Sequence, residues 1–180
     1  YFSSLRRSNF GKENIFLSQQ QNNVFSEAIE VDELCTEYNE SFGSLSMDGN
    51  TAYLFGYYFK DTTNGDIYLT TLKDNGFWNK PTLIKEVSSN YYDLQPFVWR
   101  DKVMFLTSNR DGNHKNYDLF VSENQNGTWS NPINIGEVIN TPYDEQSPFL
   151  SPDGKYLYFA SFGHNGFGGN DIFVSTRIGN

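Results

Sequence analysis

Residues 144–177 read DEQSPFLSPDGKYLYFASFGHNGFGGNDIFVSTR. Two apolar runs, residues 147–151 and 156–161, flank Ser151-Pro152-Asp153-Gly154, where Asp and Gly supply the backbone conformations of a tight hairpin turn. A Gly/Asn-rich loop then leads into a third run, residues 171–176. Earlier parts of the chain are weaker copies of this stretch, with a period of about 52 residues.

Three markers recur in one order. An aromatic stands two residues before an acid at Tyr38/Glu40, Tyr91/Asp93 and Tyr143/Glu145. An Asp or Asn opens an apolar run at Asn14, Asp66, Asp118 and Asp171. An aromatic precedes Pro by three residues at Trp78/Pro81 and Trp129/Pro132, with Phe25/Ala28 as a degenerate version. Each unit reads as four short strands. The first three are residues 42–46, 51–56 and 66–71, then 95–99, 102–108 and 118–122, then 147–151, 156–161 and 171–176; residues 128–135 form a fourth. Residues 25–40 could instead line a helix face, but their register places a fourth strand and an acidic connection there.

Tandem four-stranded units of this length are the blades of an all-β propeller with antiparallel blades, about three and a half of them here. The expected division is a partial blade over 1–37, blades over 38–90 and 91–142, and a partial blade over 143–180. Closed propellers need about four to eight blades, so the reading expects these 180 residues to be part of a longer protein.

Composition agrees with a folded β-domain: 17% aromatic and 19% charged residues, with 16 Phe and 12 Tyr. A net charge of −9 without a basic cluster argues against nucleic acid as a partner. Cys35 is the only cysteine, which excludes an internal disulfide framework and a cysteine zinc cluster. No apolar run reaches the length that spans a bilayer as a helix, so the chain is not expected to be membrane-spanning.

The run Ser147-Pro148-Phe149-Leu150-Ser151-Pro152-Asp153-Gly154-Lys155, with Leu157-Tyr158-Phe159-Ala160-Ser161 and Gly168-Gly169-Asn170-Asp171-Ile172-Phe173-Val174-Ser175, resembles the WD-repeat-like repeat of TolB-type periplasmic propellers. With the linker Trp129-Ser130-Asn131-Pro132-Ile133-Asn134-Ile135-Gly136-Glu137-Val138-Ile139-Asn140-Thr141 it is similar, more narrowly, to the propeller of OmpA-family envelope lipoproteins of the Bacteroidetes. That resemblance implies a periplasmic or outer-membrane-associated protein. It also implies other envelope proteins as partners, and glycan or peptidoglycan association through domains outside this chain. Some such proteins belong to type IX secretion machinery. Kelch repeats share the period but need a Gly pair in every blade, and Gly168-Gly169 occurs once. Asp74-Asn75-Gly76-Phe77-Trp78 resembles a sialidase Asp-box but is one residue short.

The topology puts the long links between second and third strands, and between blades, on one face, where binding residues concentrate. The candidates there are Tyr57, Tyr58, Tyr92, Asp93, Arg110, His114, Asp144, Glu145, Phe162, His164 and Phe167. Aromatics and Arg suit protein interfaces, and Tyr with carboxylates also suits glycans. The repeated Glu40, Asp93 and Glu145 read more simply as structural acceptors of turn amides, and the repeated Asn14, Asp66, Asp118 and Asp171 as turn-fixing residues.

Signals for chemistry are weak. Residues 109–113 alternate oxygen ligands but lack the distal Glu of a calcium loop. His114 and His164 lack a zinc partner motif, and no G-x-S-x-G is present, so no metal, cofactor or catalytic residue is assigned. A glycosidase would need two facing carboxylates, for which Asp93, Asp144 and Glu145 are the candidates. Three functions remain: a non-enzymatic protein-interaction scaffold, a glycan-binding or glycan-hydrolysing propeller, and the propeller half of a peptidase.

Overall fold

The structure, a computed structural model, describes residues 1–6, 12–58, 64–111 and 116–178. Among the described residues four larger antiparallel sheets follow one another, with a separate two-stranded hairpin, Gln20–Gln21/Val24–Phe25, beside the first. The first holds Phe2–Ser4, Asn14–Leu17 and Ile29–Glu30, which correspond to strands two, three and four of the repeat. The second holds Glu40–Leu45, Thr51–Gly56, Asp66–Thr71 and Thr82–Leu83. In the third, Asp93–Trp99, Val103–Ser108 and Asp118–Gln125 are followed by two short segments, Thr128–Trp129 and Ile133–Asn134, that both pair with Asp118–Gln125. The fourth holds Glu145–Leu150, Tyr156–Ser161 and Asp171–Thr176.

The register repeats as well as the order. Phe2 faces Phe16, Leu54 faces Tyr68, Leu106 faces Phe120 and Phe159 faces Phe173, one pair at the same place in each sheet. Stacking one sheet on the next buries apolar side chains in three clusters. Ile15, Leu54, Tyr68 and Trp78 join the first sheet to the second; Tyr53, Ile67, Met104, Phe120 and Trp129 join the second to the third. The third cluster, Leu119, Ile139 and Phe159, is smaller. Each such side chain taken from water contributes about 1.5–3 kcal/mol, so these boundaries hold the fold.

The hairpins follow from turn chemistry. Asp48 Oδ1 accepts from Ser46 Oγ at 2.6 Å and Asn50 N at 2.9 Å, while Gly49 takes φ 74°. Asp153 does the same with Ser151 Oγ at 2.6 Å and Lys155 N at 3.1 Å, with Gly154 at φ 76°. The shorter copy between Trp99 and Lys102 instead puts Arg100 and Asp101 both at positive φ, 52° and 57°.

Two expectations change. The first strands begin two residues before the predicted start, at Glu40, Asp93 and Glu145. A β-bulge in each, between Phe42 and Ser44, Leu94 and Phe97, and Gln146 and Phe149, breaks the alternation on which the reading relied. The predicted strand over 128–135 is divided, because Pro132 has no N–H to donate to the ladder. Within residues 25–40 the expected fourth strand is Ile29–Glu30, and the acidic connection after it holds one 3-10 turn, Asp32–Leu34.

Candidate functional site

At one end of the sheets a row of polar residues crosses three strands. Glu40, Gly56 and Asp66 align in the second sheet, Asp93, Ser108 and Asp118 in the third, and Glu145, Ser161 and Asp171 in the fourth. The long links leave from this end. The leading carboxylate of each row has no exposed surface: Glu40, Asp93 and Glu145 are all at 0%.

Their oxygens are occupied by the neighbouring loop. Asp93 Oδ2 accepts from Ser89 N at 2.6 Å and Ser89 Oγ at 2.8 Å; Oδ1 accepts from Ser108 Oγ at 2.6 Å and from the Arg110 guanidinium. Glu145 accepts from Thr141 N at 2.7 Å, Thr141 Oγ1 at 2.8 Å and Ser161 Oγ at 2.6 Å. Glu40 accepts from Thr36 N at 3.0 Å and from the Thr36 hydroxyl, and burial pushes its carboxyl up. The same three residues donate their N–H across the sheet boundary, to Glu13 O at 2.9 Å, Gly65 O at 2.8 Å and Tyr117 O at 2.7 Å. A Ser or Thr four residues before the acid is the sequence signal of this joint. It stands at Thr36, Ser89 and Thr141.

A second repeated device covers the third strand's edge. The N–H of Ile15, Ile67 and Leu119 is met by Cys35 Sγ at 3.3 Å, Ser88 Oγ at 3.3 Å and Asn140 Oδ1 at 2.9 Å. Burial, above all, raises the Cys35 thiol to about 11. Cys35 is therefore expected to stay unmodified by a thiol reagent at pH 8 until the chain is denatured, and Cys35→Ser, which installs the Ser88 group, to leave the melting temperature nearly unchanged.

The acids that open the third strands do not share one role. Asp171 Oδ2 takes Phe167 N at 2.7 Å and fixes its own loop, whereas Asp118 takes Asn134 Nδ2 at 3.2 Å from the following linker. Asp66, 8% exposed, is pushed up to about 6 by burial and then by the Asp93 charge; Asp118 reaches about 6 through burial, Glu145 and Asp111. A carboxyl whose folded pKa lies above its unfolded value costs nothing below about pH 4, and destabilises progressively as pH rises to about 6. Asp66→Asn is thus expected to raise the melting temperature at pH 7, by about 1–3 kcal/mol of stability, and to have no such effect at pH 4, as thermal melts at the two pH values would show.

Solved structures share this fold. TolB from Acinetobacter baumannii matches at a TM-score of 0.58 and 15% identity, covering 97% of this chain and 37% of that one. A chain assigned as TolB from Agrobacterium tumefaciens matches at 0.59 and 18%, covering 97% and 60%. A thermostable family-43 glycoside hydrolase matches at 0.62 and 13%, covering 99% and 71%. The chain is an all-β propeller. It spans 37% and 60% of the two TolB chains, so under two thirds of either. No family profile matches the sequence, and no curated protein matches it.

Within the propeller the predicted face divides into inward and outward residues. Tyr58 is buried, its hydroxyl donating to Leu34 O at 2.9 Å and its ring 4.7 Å from that of Tyr68, so it belongs to the core and not to a surface. Asp93 and Glu145 are the buried joints described above. Arg110 turns inward to Asp93 and Val87 O, with its guanidinium 5.2 Å from the centre of the Phe120 ring. Asp144 Oδ1 accepts Tyr117 N at 2.9 Å, as Asn39 Oδ1 accepts Glu13 N at 2.8 Å in the first sheet. His164 folds back, with Nε2 2.8 Å from Ile139 O and its ring against Phe159 and Phe173. His114 lies outside the described residues.

What remains on the surface is aromatic. Phe162 is 53% exposed and pairs with the half-exposed Tyr143, ring centroids 5.6 Å apart; Phe167 is entirely open to solvent. Tyr57, Tyr92 and Tyr117 form a partly buried group in which burial, and then the neighbouring Tyr92, raises Tyr57 to about 12. Among the described residues no group of three or more His, Cys, Asp or Glu could hold a metal ion, and no helix is long and apolar enough to cross a membrane.

Proposed function

We propose that this propeller is a non-enzymatic scaffold that docks a protein partner through its long-link face. One observation carries the reading: on that face the conspicuous carboxylates are engaged in the joints between sheets, while Tyr143, Phe162 and Phe167 are left exposed. Exposed aromatics at the rim of a rigid scaffold suit a protein interface, where a few such anchors carry most of the affinity. The likeness to TolB chains, together with the repeat resemblance, supports a periplasmic or outer-membrane-associated envelope setting with envelope proteins as partners. OmpA-family lipoprotein membership and a place in type IX secretion or peptidoglycan-linked machinery rest on the repeat resemblance alone.

Immobilised wild-type chain is expected to capture a discrete partner from bacterial envelope extract, and Phe162→Ala/Phe167→Ala to reduce that capture at least tenfold without changing the melting temperature. Equal capture by the variant would overturn the reading. The glycan reading draws on the family-43 hydrolase neighbour and on the Tyr57–Tyr92–Tyr117 group. Saturable binding on a glycan array, lost in Tyr92→Ala, would favour it. In a glycoside hydrolase, Asp93→Asn would abolish turnover at a temperature where the variant, though less stable, is still folded. In a peptidase half, activity would depend on a domain outside these residues.

A further inference from the structure

Asn14, Asp66, Asp118 and Asp171 hold one place at the start of the third strands, and three of them are bonded there. Asn14 Nδ2 donates to Glu30 Oε1 at 2.5 Å, Asp118 Oδ2 accepts Asn134 Nδ2 at 3.2 Å, and Asp171 Oδ2 accepts Phe167 N at 2.7 Å. Glu30 and Asn134 share a register position on the fourth strands, opposite Phe16 and Phe120. In the second sheet that position, opposite Tyr68, is Leu83, which packs against the apolar cluster and offers no polar group.

The second strand supplies no partner either. Ser108 and Ser161 face Asp118 and Asp171, but Gly56 faces Asp66. A Cβ at Gly56 would stand 2.3 Å from Asn39 O, so no side chain fits there. Among the described residues Asp66 is thus left without a hydrogen bond or ion pair, although it is only 8% exposed. The nearest guanidinium, that of Arg110, is committed to Asp93. Asn14 Oδ1 is closed off from solvent, whereas the Asp66 oxygens are not.

Three phenols stand around this opening, each one residue out from the polar row. Tyr57 follows Gly56, the pairing partner of Asp66, and Tyr92 precedes Asp93, whose N–H donates to Gly65 O at 2.8 Å. The Tyr92 ring lies beside Gly65, where a Cβ would be 3.9 Å from its Cδ1. Tyr117 precedes Asp118 and joins Tyr57 and Tyr92 in the group described above.

We infer that Asp66, walled by Tyr57, Tyr92 and Tyr117, anchors a socket for a lysine side chain of the docked protein partner; this rests on the scaffold reading above. The ammonium meets the recessed carboxylate and the phenol faces, and the aliphatic stem lies along the Tyr92 ring. A compact ammonium on a flexible stem reaches such a carboxylate, whereas the planar guanidinium of arginine needs both oxygens presented side by side. A hydroxyl could bond the carboxylate but would leave its buried charge unopposed. The net charge of −9 attracts a cationic partner. A residue that destabilises the free chain and gains a counter-charge in the complex follows the usual opposition of stability and function.

The probe is Nα-acetyl-lysine methylamide, titrated into the full chain and followed by the NMR signals of the tyrosine rings. Saturable millimolar binding is expected, at least tenfold weaker for the neutral Nε-acetyl analogue and weaker for the arginine analogue. Asp66→Asn is expected to weaken the lysine probe at least tenfold while melting no lower than the wild type at pH 7, so that the loss is not one of folding. Tyr92→Leu is expected to weaken it at least threefold. The inference is overturned if the lysine probe does not saturate, if either analogue binds as tightly, or if Asp66→Asn or Tyr92→Leu binds it unchanged. The titration contains no partner, so its failure strikes the socket alone, whereas unchanged capture by Phe162→Ala/Phe167→Ala strikes the docking reading.

Discussion

Asp93→Ala is expected to destabilise the chain by about 3–5 kcal/mol, the cost of removing one partner from a buried ion pair. The carboxylate sits at 0% exposure between Ser89, Ser108 and Arg110, whose side chain is 14% exposed. Truncation leaves the guanidinium facing Ser108 and Val87 O without its counter-charge, and leaves Ser89 N and both hydroxyls short of an acceptor. Urea unfolding of the variant measures the loss. Double truncation with Arg110→Ala should recover part of it, because the second change removes the stranded charge. A loss below about 1 kcal/mol would mean that the joint carries no stability.

Trp129→Ala is expected to cost a similar amount, about 3–5 kcal/mol, by opening a cavity between the second and third sheets. The indole is 5% exposed, edge-on to Tyr53, and shares a cluster with Met104 and Phe120. Flexible neighbours such as Met104 can only partly collapse into the space. The residue also ties Thr128–Trp129 to Asp118–Gln125, so exchange of the Asn124 and Gln125 amides should quicken in the variant. Phe25, which the sequence pattern aligns with the two indoles, is 67% exposed in the separate hairpin Gln20–Gln21/Val24–Phe25. Phe25→Ala should therefore leave stability within about 0.5 kcal/mol of the wild type.

Much of this fold was legible in the sequence because a repeat is its own alignment. The second and third strands open and close close to where the pattern places them: 51–56, 66–71, 156–161 and 171–176 match Thr51–Gly56, Asp66–Thr71, Tyr156–Ser161 and Asp171–Thr176. Those strands are regular, so period-two or continuous apolar patterning reports them faithfully. The first strands were read short because their bulges, with Gln95 and Ser147 at φ 52° and 55°, displace the alternation by one residue.

The candidate site was less legible. Sequence order can bring Tyr58, Asp93, Arg110 and Glu145 to one end of the sheets, but it does not say which way a side chain turns. Tyr58 turned into the core because Leu34 O offers its hydroxyl an acceptor beside Tyr68. Arg110 turned inward because Asp93 stood there to meet it. In the loop residues 162–170, His164 folds under and Phe167 faces out.

The central claim is that the repeated acids are structural joints between sheets, and the thermal melt of Glu145→Gln tests it most directly. Glutamine keeps the size of the side chain but sets an NH₂ donor against Thr141 N–H, Thr141 Oγ1 or Ser161 Oγ, groups that now donate to the carboxylate. A mismatch costing about 1–3 kcal/mol lowers the melting temperature of a chain this size by roughly 3–10 °C. An unchanged melting temperature would contradict the claim.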